Sequence, residues 1–271
     1  MFPVTTTGAP PKLDREIEVY SLDTPQKGLW HIPEETPVAF IYNRRNYAVM
    51  LATPADMVDY ALGFSLSERV INAPDEIENL EVRYLEKGIE LHFKISPKRL
   101  AAFDIKARRR NLIGAAGCGI CGLANADALF APLTSVRETP IDIDKTALEQ
   151  AMANFKKLQP INARTKSVHG AAWAGLDGSI HLAREDVGRH NALDKLIGAL
   201  TAMNMPMGTP MDGFLLMSSR CSFEITDKAA RAKIPAILSL SGPTILALNK
   251  AAEAGITIYA RDKIGGVKRM S

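Results

Sequence analysis

Two of the chain's three cysteines, Cys118 and Cys121, stand as a CxxC inside GAAGCGICGLAN, residues 114–125. Thiols at this spacing can hold a metal, cycle as a disulfide, or carry sulfur as a persulfide. Zinc needs four ligands, or three and a water, and one CxxC supplies two. Cys221 lies in an unrelated pattern, and no second CxxC and no HxE followed by PCxxC occurs. His169 is followed by Gly170 and Ala171, so it brings no catalytic glutamate. Zinc is disfavoured. A thioredoxin-like pair opens a helix directly after a strand. This one follows the basic run Arg108, Arg109, Arg110 and lies between Gly117 and Gly122. Glycines on both sides permit a loop that reaches outward, and nearby arginines lower a thiol pKa. A buried pair of small apolar thiols would have apolar flanks, which four glycines between 114 and 122 do not supply.

Three further stretches each read as a strand end turning into a helix. AREDVGRHNALDK, residues 183–195, gathers Arg184, Glu185, Asp186, Arg189 and His190. SSRCSFEI, residues 218–225, offers Ser218, Ser219 and Arg220, which can hold phosphate oxygens at a helix N-terminus. SLSGPT, residues 239–244, repeats the arrangement. Each alone is a helix start with solvated charges. Together they fall at the C-terminal ends of strands, where open α/β sheets bind ligands. Cys221, between serines and Phe223, reads as a packing residue.

The elements that must hold these residues follow from the apolar pattern. Residues 1–15 are Pro/Thr/Gly-rich and read as an extended or disordered leader. Strands are expected at 16–22, 37–43 and 46–52, the last two joined as a hairpin through Arg44 and Arg45. A helix over 53–70 should start with Thr53 as N-cap and Pro54 in its first turn. LEVRYLE and IELHFKI, separated at Lys87-Gly88, form a second hairpin. The 144–160 helix, capped by Asp144 and stopped by Pro160, hinges into a second domain. From there strands and helices alternate, which implies a largely parallel sheet with helices on both faces. The expected division is a leader at 1–15, a β-rich domain at 16–143 with the CxxC loop, and an α/β domain at 144–271.

A length of 271 residues with 46% hydrophobic and 23% charged residues suits one large or two modest globular domains. The net charge of +3 permits an anionic ligand and does not call for nucleic acid. No apolar run reaches the ~18 residues of a membrane span, the first residues lack a signal-peptide plan, and three cysteines make no secreted disulfide framework. A cytoplasmic protein without membrane attachment is the expectation.

Taken together, TPADMVDYALGFSLSE, GCGICG, VHGAAW, REDVGRHNALDK, SSRCSFEI and SGPTILAL resemble, in order, the FdhD family of formate dehydrogenase accessory sulfur carriers. The resemblance implies a cytidine-deaminase-like α/β/α C-terminal domain without zinc ligands, beside a smaller N-terminal β-rich α+β domain. It implies a sulfurtransferase that takes persulfide sulfur from a cysteine desulfurase. The acceptor would be the bis-molybdopterin guanine dinucleotide cofactor of formate dehydrogenase, with molybdenum or tungsten. Cys118 would be the persulfide carrier and Cys121 its partner. The family's cofactor segment would fall on Arg261, Asp262, Lys263, Ile264, Gly265 and Gly266, joining Arg184, Arg189, His190, Ser218, Ser219 and Arg220. No metal would be bound directly by the protein. A homodimer is expected, because two-fold dimers are the commonest oligomers and the N-terminal sheet leaves apolar surface. The alternative function is a non-catalytic chaperone that binds the cofactor and hands it to the apoenzyme.

Overall fold

The computed structural model describes residues 2–23, 26–97, 99–100, 131–138, 140–203 and 212–270. Strands β4 (Thr36–Tyr42) and β5 (Arg45–Ala52) form the first expected hairpin. Its turn is Asn43-Arg44, both at positive φ, as a two-residue turn matched to strand twist requires. β6 (Ile77–Leu85) and β7 (Gly88–Ile95) form the second. The four strands and β1 (Val4–Thr7) build one sheet in the order β1-β6-β7-β4-β5.

The expected leader is therefore corrected. Val4–Thr7 pair in parallel with Leu80–Arg83, and residues from Asp14 belong to the hairpin of β2 (Asp14–Tyr20) and β3 (Lys27–Pro33). Three threonines suit a strand, and β1's partner lies some seventy positions along the chain, a pairing no local pattern reveals.

Alternate residues of β6 and β7 (Leu80, Val82, Ile89, Leu91, Phe93) are buried beneath helix α1 (Met57–Ser67). Phe40 stacks on Phe64 at 3.9 Å and meets Tyr60 edge-on at 5.2 Å. Helix α1 starts at Met57 with Asp56 in a left-handed conformation, not at Thr53. Thr53 is taken by partners in the other half of the chain, described below.

The second half is a six-stranded sheet in the order β13-β12-β11-β10-β8-β9. Its strands are β8 (His169–Ala174), β9 (Ile180–Asp186), β10 (Phe214–Met217), β11 (Ala236–Ser239), β12 (Thr257–Arg261) and β13 (Val267–Arg269). The helices are α2 (Lys145–Phe155), α3 (Pro160–Thr165), α4 (Arg189–Ala202), α5 (Phe223–Arg231) and α6 (Ile245–Ala254). Pro160 both stops the run from α2 and opens α3. Within this sheet the parallel pairs among the described strands are β10–β11 and β11–β12, joined by crossovers through α5 and α6. β8–β9 and β12–β13 are hairpins, so the sheet is mixed rather than largely parallel.

Both faces are buried, and the strands show it residue by residue. Ala171, Trp173, Leu215 and Met217 face α4, α5 and α6. Ala172, Ala174, Phe214 and Leu216 face α2. The domain is a three-layer α/β/α unit beside a smaller β-rich unit. Among the described residues no helix is long and apolar enough to cross a membrane.

The two units meet where α1 crosses α4. A Cβ on Gly63 would stand 1.7 Å from the Asp194 carbonyl oxygen, and one on Gly198 would stand 1.9 Å from that of Asp59. Glycine is unfavourable inside a helix by ~1 kcal/mol relative to alanine; at these two positions it lets the backbones touch.

Candidate functional site

Because β9, β10, β11 and β12 run the same way, their C-terminal ends share one edge of the sheet. There the chain turns from β9 into α4, from β10 into α5 and from β11 into α6. Ser218, Ser219 and Arg220 lie in the second turn, and Arg261 ends β12 beside the third. The antiparallel β8 brings His169, opposite Asp186, to the same edge. The edge gathers Arg189, His190, Ser218, Ser219, Arg220 and Arg261.

Most polar groups of Arg184–Lys195 have protein partners, and those partners fix the junction. Arg184 donates through Nε and Nη2 to Asp59 Oδ2 on α1, at 2.9 and 2.7 Å. Glu185 accepts from the first amides of α3, Ile161 and Asn162, and burial pushes its carboxyl pKa up. Fully buried Asp186 pairs with fully buried Lys195 at 2.7 Å and accepts the Thr53 N–H at 3.0 Å. Lys195 also donates to the Thr53 carbonyl, and the Thr53 hydroxyl accepts from Val187 N–H. Asn191 donates to Asp186 and to the Leu51 carbonyl and accepts from Tyr60 OH. Asp194 receives both oxygens' bonds from Lys228 at 2.6 Å, although burial raises its carboxyl pKa. Arg184 is thus an interdomain tie.

Arg189 and His190 differ. Arg189 Nε and His190 Nε2 are buried without a hydrogen-bond partner among the described residues, as is Ser222 Oγ in the next turn. A buried polar atom left unsatisfied is unfavourable by roughly 1–3 kcal/mol, so an isolated polar group in this position calls for an occupant. The N-termini of α4 and α5 have no side-chain cap, while Thr244 caps α6. Their free amides suit an anion. Burial, then Lys228 and Arg189, push the His190 pKa down to about 4, so its ring is neutral at pH 7. His169 is shifted the same way, by burial and then Arg189.

The turn beneath is braced rather than open. Ser218 Oγ accepts the Gly170 N–H at 2.9 Å, and Ser239 Oγ donates to the Ser219 carbonyl at 2.7 Å. Ser219 Oγ reaches only the neighbouring Arg220 carbonyl, and the Arg220 side chain is exposed. Asp262–Gly266 form the tight β12–β13 turn, where Asp262 Oδ1 accepts from Ile264 and Gly266 N–H. Lys263 and Gly265 lie within it, and Ile264 is 92% exposed. Cys221 is wholly buried, with its thiol pushed up to about 11 by burial, so it carries no thiolate at neutral pH. Cys118, Cys121 and Arg108–Arg110 lie outside the described residues.

His169 and Ser222 are edge residues that sequence reasoning missed. His169 is itself the histidine of the recognisable VHGAAW, residues 168–173; the signal for Ser222 is its place at a helix start.

Residues 33–267 match the FdhD/NarQ family. The chain belongs to that family. "Sulfur carrier protein FdhD" of Xanthomonas euvesicatoria pv. vesicatoria is 45% identical over 233 residues, covering 85% of this chain and 81% of the relative. The protein of the same name from Chromobacterium violaceum is 41% identical over 241 residues, covering 88% and 87%. A crystal structure from Desulfotalea psychrophila, assigned as a formate dehydrogenase accessory protein, superimposes with a TM-score of 0.68. It covers 94% of this chain and 95% of that one at 21% identity, which establishes the shared fold. Sulfur carriage is what these two relatives are named for.

Proposed function

We propose that this FdhD/NarQ chain carries sulfur as a persulfide on Cys118 and delivers it to a bis-molybdopterin guanine dinucleotide cofactor bound for formate dehydrogenase. What carries the reading is the name of relatives at 41–45% identity over most of the chain, together with a CxxC in GCGICG. The Cys118 thiolate attacks the terminal sulfur of a persulfide on a cysteine desulfurase. The S–S bond there breaks, the desulfurase cysteine leaves as a thiolate, and a new S–S bond forms on Cys118. Sulfane sulfur moves without net oxidation. Cys121 then attacks the inner sulfur of Cys118, and the terminal sulfur departs as hydrosulfide. A dithiol reductant reopens the Cys118–Cys121 disulfide.

The cofactor is cargo, and the strand edge fits its nucleotide half. Arg189 Nε and His190 Nε2 have no partner among the described residues, and two helix N-termini without a side-chain cap stand beside them. Arg220 and Arg261 add exposed positive charge at the rim, able to pair with pyrophosphate oxygens. A homodimer belongs to this reading: Ile17, Trp30 and Ile32 on one face of the β2–β3 hairpin are 45%, 48% and 40% exposed, a surface a second copy would cover. Light scattering at micromolar protein should return twice the chain mass, and a monomer throughout would remove that element. The protein would act in the cytoplasm, where both partners' thiol chemistry is kept reduced.

A chaperone that only binds and transfers the cofactor would use the same edge. Formate dehydrogenase activation in cells relying on this chain separates the two. Cys118→Ala should abolish activation, and an active Cys118→Ala would leave the chaperone.

A further inference from the structure

A groove of about 340 Å³ lies where α1, α4 and α5 meet, at the opposite end of α5 from the strand edge. Arg231 at the groove stands eight residues, ~12 Å, along α5 from Phe223 at that edge. Its apolar walls include Leu66, Ile71 and Ile197, and its polar wall holds Arg69, Lys228 and Arg231. Among the described residues lining it there is no carboxylate. Lys228 is neutralised behind the wall by Asp194. Arg231 bonds the Ser67 carbonyl through Nη1 and Asp227 through Nη2, while its Nε is buried without a partner among the described residues. Arg69 follows α1 at φ 54°, a left-handed conformation that favours glycine, yet the chain carries an arginine there. Partial burial, and then the like charge of Arg231, push the Arg69 pKa down, while Asp227 opposes them.

Two guanidiniums over an apolar wall, with Asp227 held on Arg231 outside the lining, match a small molecule that has an oxyanion on an apolar body. We propose that this groove is a second ligand site, for a small organic anion bearing a phosphate or carboxylate. It is independent of the nucleotide edge, and its wall on α1 sits beside Arg99, which donates to the Arg69 and Val70 carbonyls just before residues 101–130.

Calorimetry on the full chain tests it, with phenyl phosphate and benzoate as probes and inorganic phosphate as the comparison. One of the two aromatic anions should bind saturably and more tightly than inorganic phosphate; which one identifies the oxyanion. Arg69→Ser and Arg231→Gln should each weaken that binding at least tenfold, and Asp227→Asn should strengthen it. Arg189→Ala at the strand edge should leave it unchanged, and Arg69→Ser should leave GDP binding unchanged. Arg231 also holds the Ser67 carbonyl, so if Arg231→Gln does not fold, exposed Arg69 decides. Absence of saturable binding by both probes, binding indifferent to Arg69→Ser, or binding lost in Arg189→Ala would overturn the site.

Discussion

The stretch Arg184–Lys195 spans two regions that differ in one physical respect. Arg184, Asp186, Asn191 and Lys195 have partners across the junction of the two units, and Glu185 and Asp194 have theirs on α3 and α5. At the strand edge, Arg189 and His190 keep buried nitrogen atoms with none. The same twelve residues therefore hold two units together with one set of side chains and leave another set without partners among the described residues. Polar satisfaction, rather than residue type, separates a clasp from a site.

The largest effect should come from breaking the clasp. Lys195→Met strands the buried Asp186 carboxylate, and removing one partner of a buried pair typically destabilises by about 3–5 kcal/mol. Urea unfolding should show that loss. A variant as stable as the parent would mean the junction is not held by this pair.

Protonation sharpens the contrast. His190 has a folded pKa of about 4 against an ordinary 6.5, so above pH 6.5 its ring is neutral in both states and imposes no penalty. As pH falls from 6.5 towards 4 the unfolded chain takes up the proton first, and stability is lost by on the order of 3 kcal/mol at ~1.36 kcal/mol per pH unit. His190→Gln should lose less stability over that interval in urea titrations. Parallel losses in the two proteins would place the His190 ring outside the buried edge.

Gly63→Ala tests the crossing itself. Its methyl group would meet the Asp194 backbone, so a loss of about 1–3 kcal/mol, typical of overpacking, is expected in thermal or urea unfolding. An unchanged stability would mean the helices can separate freely.

The smallest effect on stability belongs to the edge. Arg189→Ala should leave unfolding within about 0.5 kcal/mol of the parent, as substitutions away from satisfied networks do. It should weaken GDP binding about tenfold in calorimetry, since a hydrogen bond to a charged group contributes ~1.5–3 kcal/mol. Lost stability with unchanged GDP binding would reverse the assignment of the two regions.

Local patterns carried much of this architecture. The β4–β5 and β6–β7 hairpins and the run of helices α4, α5 and α6 with strands β10, β11 and β12 are legible in turn residues and one-faced spacing, whereas the β2–β3 hairpin is not. β8 escaped because HGAAWA is rich in Gly and Ala, and β13 because three residues make no pattern. The convergence of three strand ends at one edge follows from alternation of strands and helices. The partners do not: Arg184 finds Asp59 across 125 positions, and Asp186 draws Thr53 away from the helix start across 133. Spacing within a motif cannot tell which charges a distant element will neutralise.

The central claim is that Cys118 carries the sulfur, and intact-mass spectrometry after incubation with a cysteine desulfurase and cysteine tests it most directly. One added sulfur, about 32 Da, removable by a thiol reductant, should appear on the parent chain and be absent from Cys118→Ala. A parent that gains no sulfur, or a Cys118→Ala chain that gains as much, would contradict it.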